Sequence, residues 1–262
     1  MTDPRIQARR VSVERQRGHR RLGFVLAVLA AAGLSAGAVA VLHSRLFSAR
    51  SVVIAGAVHT TRAEIVSASG LYRTPPLLDL NPAAISERLE RLPWVETASV
   101  RVDWPSTVAV AIAERVPVAT SRLASGGYAL FDASGRVLAD EASRPAGIPL
   151  VVVADPSASP GSFLGAEARL ELVAAAQLPE SLLGRVQEIT VSDTEGVVLH
   201  LQGGMSAVVG DDGALGEKFV SLATVLSKLD LTGIGGIDLR VAASPVLTPL
   251  VSASNVQGKG DG

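Results

Sequence analysis

The chain has 262 residues, a formal net charge of −1 and few aromatics. That near-neutral balance gives the whole chain no nucleic-acid signature. There is no cysteine, which excludes disulfides, thiolate metal sites and cysteine nucleophiles together. The core must come from Val, Leu, Ile and Ala, and the length suits one membrane segment and two domains of ordinary size.

Arg5, Arg9, Arg10, Arg15, Arg17, Arg20 and Arg21 crowd residues 1–21, against only Asp3 and Glu14. Residues 22–42, "LGFVLAVLAAAGLSAGAVAVL", then run without a charge. A helix of this length spans about 30 Å, the hydrocarbon thickness of a bilayer. The arginines before it predict, by the positive-inside rule, a cytoplasmic N-terminus and an extracytoplasmic remainder, a single-pass type II arrangement. The rival reading is a cleaved signal peptide with "AVA" (Ala38–Ala40) as its cleavage site, although the apolar run exceeds the usual roughly 7–15 residues. A buried soluble helix would need a polar face or cap, and none is evident. "GLSAG" (Gly33–Gly37) matches a nucleophile elbow, but that motif needs a strand before it and a helix after it. As G-x-x-x-G, Gly33 and Gly37 are candidates for transmembrane helix packing, weighed against the general abundance of glycine and alanine here.

A first soluble domain is expected over 50–119. "RSVVIAG" (Arg50–Gly56) reads as a strand ended by glycine. "TTRAEIVSASG" (Thr60–Gly70) reads as a helix with a Thr N-cap, Glu64 in its first turn and Gly70 as its stop. "YRTPPLLDL" is a loop by its two prolines. "NPAAISERLERLPW" starts a second helix, with Asn81 as N-cap, Pro82 at the first helical position, an apolar stripe of Ile85, Leu89 and Leu92, and Pro93 as its end. Val95–Asp103 and Thr107–Ala119 alternate as two strands around a Trp-Pro-Ser-Thr turn. The order β-α-α-β-β predicts a three-stranded sheet with two helices on one face. Ala98, Val100, Val102 and Trp104 would face the helices, as would Val108, Val110 and Ile112. Thr97, Ser99, Arg101 and Asp103 would face water along a sheet edge, which offers unpaired backbone groups to another chain. Glu114 breaks the apolar alternation, as a bulge or as a carboxylate anchoring the junction of two domains.

A second, mostly antiparallel domain is expected over 120–250. "SGGYALFDASGRVL" (Ser125–Leu138) reads as two strands around Asp-Ala-Ser-Gly. "GIPLVVVAD" (Gly147–Asp155) is an apolar strand, and "AEARLELVAAAQLP" (Ala166–Pro179) a helix stopped by proline. "VQEITVSDTEGVVLHLQGGMSAVVGDD" predicts three successive antiparallel strands. "LGEKFVSLATVLSKL" is amphipathic through Leu215, Phe219, Leu222, Leu226 and Leu229, with Glu217 and Lys228 placed as the helix dipole prefers. "GGIDLRVAASPVLTP" is a last strand, and residues 251–262 have a disordered composition. The whole is an α+β chain: one transmembrane helix, a β-α-α-β-β domain and a mixed β-domain.

Catalytic chemistry finds no constellation. His19, His43, His59 and His200 stand at no metal-binding spacing from one another. His200 lies between Leu199 and Leu201 and reads as a solvated strand histidine. Asp211-Asp212, just before a helix, reads as an N-cap, and Asp238 with Arg240 as a surface ion pair. No catalytic, metal or cofactor residue is assigned, and the chain is not read as an enzyme.

"FSARSVVIAGAVHTTRAEIVSASG" and "LPWVETASVRVDWPSTVAVAIAERVPVA" together resemble the POTRA domain of the FtsQ/DivIB cell-division family. Leu92–Val95, Pro105–Thr107 and Glu114–Ala119 supply that family's Leu-Pro-Trp-Val, Pro-x-Thr and Glu-Arg-x-Pro-Val-Ala in order. Ala57-Val58 departs from it, standing where many members carry a polar turn residue. "VVGDDGALGEKFVSLATVLSKL" and "GIDLRV" resemble the family's β-domain. The resemblance implies a membrane protein of the division septum. It would hold FtsL-type and FtsB/DivIC-type partners together and help control septal peptidoglycan synthesis machinery. It implies a partner site towards the C-terminal end of the β-domain, expected as a strand edge at Ile237, Asp238, Leu239, Arg240 and Val241 with Ser244 and Val246. The edge at Thr97, Ser99, Arg101 and Asp103 is the second candidate. Two rival readings are a POTRA-type polypeptide-transport component and an anchored envelope hydrolase.

Overall fold

The computed structural model describes residues 4–152, 159–165 and 168–250, with the backbone alone for residues 4–21 and Gly23. The end of the apolar strand expected to run to Asp155, the start of the helix expected from Ala166 and the tail 251–262 lie outside the described residues. The chain forms two compact units.

The first unit opens with α1 (Pro4–Leu42), whose stretch Phe24–Leu42 is long and apolar enough to cross a membrane. It continues through β1 (Ser51–Ala55), α2 (Arg62–Ser69), α3 (Pro82–Leu89), β2 (Val95–Asp103) and β3 (Thr107–Glu114). The three strands form a sheet in the order β1-β3-β2, with β1 parallel to β3 from Ser51 opposite Thr107 to Ala55 opposite Ala111. This is the expected β-α-α-β-β domain. Its helices start where side chains satisfy orphan backbone donors. Thr61 and Glu64 form a reciprocal capping box, Thr61 Oγ1 accepting from the Glu64 N–H and Glu64 Oε2 from the Thr61 N–H. Asn81 Oδ1 accepts from the Ala84 N–H at 3.2 Å. Ile65, Leu71, Leu77, Ile85, Leu89, Val108 and Val110 are buried. Each such side chain removed from water contributes about 1.5–3 kcal/mol before entropy is counted. Gly56 ends β1 at φ +84°, and a Cβ there would stand 2.0 Å from the Ile112 carbonyl oxygen, so no other residue fits without moving β3. Two details differ from expectation. α3 stops at Leu89, short of Pro93. Trp104 is half exposed at the hairpin tip rather than in the core.

The segment expected as one strand over Thr107–Ala119 is two. β3 ends at Glu114 and β4 (Pro117–Arg122) joins the other sheet. The Arg115 N–H still donates to the Trp94 carbonyl, just before β2, at 2.8 Å, but Pro117 donates no ladder hydrogen bond, so the pairing with β2 stops there.

The second unit holds a nine-stranded sheet in the order β12-β11-β10-β9-β8-β7-β4-β5-β6. β4, β5 (Tyr128–Asp132) and β6 (Val137–Glu141) form an antiparallel meander. β7 is short (Leu150–Val151) and runs parallel to both β4 and β8 (Val186–Ser192). The chain between β7 and β8 carries α4 (Arg169–Gln177) and α5 (Glu180–Leu183), as a parallel crossover requires. β8, β9 (Gly196–Leu201) and β10 (Ser206–Gly210) are the three expected antiparallel strands. α6 (Leu215–Lys228) then crosses over to β11 (Ile234–Asp238), which pairs parallel to β10. Phe131, Leu172, Leu182, Ile189, Leu199, Phe219 and Leu222 lie in one buried cluster. α6 buries Leu215, Phe219, Leu222 and Val225 and leaves Leu229 half exposed as its C-cap residue.

The final strand is a second correction. "GGIDLRVAASPVLTP" forms β11 and then β12 (Val246–Pro249), which folds back antiparallel on β11. The reversal is local chemistry. Asp238 Oδ1 accepts the Arg240 N–H at 3.0 Å, an Asx-type turn, and the Ser244 N–H donates to the Val241 carbonyl at 3.1 Å. Ile237–Val241 is therefore no open edge. β11 is paired on both sides, and Ile237 and Leu239 are buried. α6 also begins without the expected aspartate cap. Ala214 precedes it in the left-handed region, and Asp211 turns instead to Lys218.

Candidate functional site

Strand ends and edges carry the chemistry here. Among the described residues no group of three His, Cys, Asp or Glu side chains could hold a metal ion.

The nine-stranded sheet has two terminal strands, and they differ. Beside β6 the chain folds back: the Val137 N–H donates to the Ser162 carbonyl at 2.9 Å, and the Gly161 N–H to the Val137 carbonyl at 2.8 Å. The segment around Gly161–Phe163 thus occupies the start of that edge. β12 pairs with β11 alone among the described residues. The Leu250 N–H points inward to the Gly233 carbonyl at 2.8 Å. Strand alternation then turns the backbone groups of Leu247, and the carbonyl of Pro249, to the outer side. The Pro249 nitrogen has no hydrogen to offer there, as suits an edge strand. Val246 and Leu250 are exposed, while the Leu247 side chain packs on the core.

The sequence-predicted residues are distributed around this edge. Val246 lies on β12 and Asp238 opposite it on β11. Arg240 and Val241 are exposed in the connecting turn with Ser244. Arg240 Nε donates to Asp238 Oδ2 at 3.0 Å, so the expected ion pair forms and holds the turn. In the first unit β2 is a terminal strand of its sheet. Thr97, Ser99 and Arg101 are exposed and Asp103 is half-buried, with Arg101 Nε 2.9 Å from Asp103 Oδ1. Gly33 and Gly37 lie one turn apart on α1, with nothing near the position of an added Cβ. His200 is exposed beside Thr190 at 3.0 Å, as its place between Leu199 and Leu201 predicts.

A polar cluster in the second unit was only partly legible from the sequence. Glu114 is 8% exposed at its side chain, and its carboxylate accepts the backbone N–H groups of Val58, His59 and Thr60 at 2.8–3.1 Å. The His59 ring lies on Trp94, centroids 4.0 Å apart and planes at 8°. Burial pushes the Glu114 carboxyl up, but the N–H groups of His59 and Thr60 outweigh it and hold the pKa at about 2. Next in the chain, Arg115 sets Nη1 2.7 Å from Asp132 Oδ2 and Nε 3.1 Å from the Val95 carbonyl. Asp132 Oδ1 accepts from the Ser134 N–H and hydroxyl and from the Arg136 N–H, closing the Asp-Ala-Ser-Gly turn. Arg136 in turn donates to the Arg91 carbonyl at 2.7 Å. The adjacent Glu-Arg pair at the end of β3 was the visible signal. Its partners, far along the chain, were not visible.

Two buried charges stand elsewhere. Lys218 is buried on α6, with Nζ 2.9 Å from Asp211 Oδ1 and 3.2 Å from the Asp211 carbonyl. Glu171 is buried on α4, its Oε2 without a partner among the described residues, and burial raises its carboxyl pKa.

Comparison with known proteins gives this architecture a family. Residues 47–115 match the FtsQ-type POTRA domain, and residues 119–240 match the C-terminal region of the cell division protein FtsQ/DivIB. The cell division protein FtsQ of Streptomyces bingchenggensis is 30% identical over 214 residues, covering 80% of this chain and 79% of that one. The FtsQ of Mycolicibacterium smegmatis is 30% identical over 183 residues, 70% of this chain and 53% of that one. That of Mycobacterium leprae is 26% identical over 205 residues, 78% and 58%. The chain thus spans little more than half the length of these last two relatives. With both of its folded units matched in order, the chain belongs to the FtsQ/DivIB family of cell-division proteins.

Proposed function

We propose that the protein is a non-catalytic scaffold of the division septum, anchored by α1 with its N-terminus in the cytoplasm and both folded units outside. Its domains then run as a basic tail over 1–21, a membrane span over 22–42, a POTRA-type domain over 50–119 and a β-domain over 120–250. It captures FtsL-type and FtsB/DivIC-type division proteins and through them helps control septal peptidoglycan synthesis. The outer edge of β12 is the capture site. The observation that supports this is its pairing on one side only among the described residues, while β6 is covered where it begins. Strand addition there needs no prebuilt pocket: backbone hydrogen bonds supply affinity, and exposed side chains such as Val246 supply selectivity. The β2 edge of the POTRA-type sheet is the secondary surface, and Gly33 with Gly37 give α1 a face on which a second helix can pack closely.

The first test is imaging of a fluorescent fusion at the N-terminus in growing cells. A midcell band that appears with constriction supports the septal role. An even membrane signal rejects it.

A further inference from the structure

In the first unit, the exit of α1 and two distant loops meet at one place. The Ala49 N–H donates to the Pro75 carbonyl at 2.9 Å, and the N–H groups of Arg50 and Ser51 donate to the Ser106 carbonyl at 3.0 and 3.1 Å. His43 Nε2 lies 3.1 Å from Asp79 Oδ1. The Phe47 and Trp104 rings stand 5.8 Å apart, tilted. The 75–79 loop and the tip of the β2–β3 hairpin are therefore drawn against the few residues that follow Leu42. Those residues are the first after the apolar stretch Phe24–Leu42.

This end of the unit is not dressed for water. Leu46 is 65% exposed, Trp104 51% and Leu78 47%. Single exposed apolar residues are ordinary on a protein surface. These three come from three separate segments that the hydrogen bonds above bring to the same end. Arg45 and Arg50, both exposed, flank Leu46 in sequence. Tryptophan favours the headgroup level, where its ring is shielded and its N–H stays wet. Arginine lays its aliphatic stem along apolar surface and keeps its charge among polar groups.

We propose that this end of the POTRA-type domain is a lipid-binding surface. Leu46, Leu78 and Trp104 seat in the interfacial layer of the outer leaflet, and Arg45 and Arg50 meet lipid phosphates. The occupant is the bilayer because the surface is continuous with the segment that crosses it. The proposal rests on α1 spanning the membrane, and the test separates the two.

The chain has two tryptophans, Trp94 and Trp104. The full-length protein is placed in nanodiscs whose phosphatidylcholine and phosphatidylglycerol carry bromine either near the ester linkage or near the middle of the acyl chain. The emission of wild type minus that of Trp104→Phe isolates Trp104 and leaves Trp94 untouched. A mid-span reporter, Ala31→Trp, is read in the same two lipids. The expected result is at least twofold quenching of Trp104 by shallow bromine with less by deep bromine, and the reverse for the Ala31→Trp reporter. Leu46→Ser with Leu78→Ser should cut the Trp104 quenching by half or more. If Trp104 escapes both lipids while the mid-span reporter is quenched, the helix spans but this end belongs to water or to a protein partner, and the proposal fails. If neither reporter is quenched, α1 is not in the bilayer and both readings fall.

Discussion

The carboxylate of Glu114 receives both the backbone N–H and the ring Nδ1 of His59, each at 2.9 Å. One side chain at the end of β3 thereby closes the loop that leads into α2. Removing it leaves up to three backbone donors without a partner, and a charge-assisted bond contributes about 1.5–3 kcal/mol. Glu114→Ala should destabilise its unit by roughly 2–4 kcal/mol, read as a lowered denaturant midpoint in detergent micelles. The pH dependence has a definite sign. Because the folded pKa is held at about 2 against an ordinary 4.5, the stabilisation is complete above the higher value and is lost as pH falls from 4.5 towards 2. Glu114→Ala should flatten the acid limb of the stability curve in that window.

On β12 the outward backbone of Leu247 and the inward backbone of Thr248 make a paired test. Leu247→Pro removes a donor on the open side, and Thr248→Pro removes one that faces β11. If strand addition captures the FtsB/DivIC-type partner, Leu247→Pro should weaken capture about tenfold or more relative to Leu247→Ala, which loses the same core packing but keeps the N–H, at a similar thermal stability. Thr248→Pro should lower both. Capture unchanged by Leu247→Pro, measured on the reconstituted full chain, moves the site off this edge. A proline at Leu239 would be the poorer probe, since the Leu239 N–H donates to the Val208 carbonyl at 2.7 Å and its side chain is fully buried.

Lys218 and Asp211 are unequal partners, for the lysine is buried and the aspartate lies almost wholly in water. Removing the aspartate leaves the buried ammonium with the Asp211 carbonyl alone, so it should lower the denaturation midpoint more than removing the lysine's charge does. Lys218→Met fills the same volume and takes a charge out of the interior, so its cost should be under about 1 kcal/mol. Chemical denaturation of the two variants checks the order.

Glu171 predicts a gain. It is a buried carboxyl with one oxygen unpartnered among the described residues, and burial raises its pKa. Glu171→Gln should stabilise the unit by roughly 1 kcal/mol at neutral pH. For a raised carboxyl pKa the penalty is absent at low pH and grows as pH climbs above the unfolded value. The advantage of the variant should therefore vanish in acid, which paired denaturation curves at acidic and neutral pH would show.

Much of this molecule is local chemistry, and local chemistry is legible in a sequence. The uncharged run to Leu42, the Asn81-Pro82 helix start, the alternation of β2 and β3 and the amphipathic stripe of α6 each follow from periodicity and capping over a few residues. The edge of the β-domain did not follow. Asp238, Arg240 and Ser244 carry side chains compatible with a strand, and only their hydrogen bonds turn the chain so that β12 returns beside β11 and takes over the edge. The long-range contacts of Glu114 and Asp132 were hidden for the same reason: Arg115 lies 17 residues from Asp132, and Val58 lies 56 from Glu114. Nothing in a window of residues states which distant N–H a carboxylate will meet. Sequence alone determined the membrane-type helix, most of the order of elements and the family, because these rest on local pattern. The tertiary structure decided which strand ends the sheet among the described residues, which charges are buried and which loops gather at the end of α1, because these depend on non-local pairing.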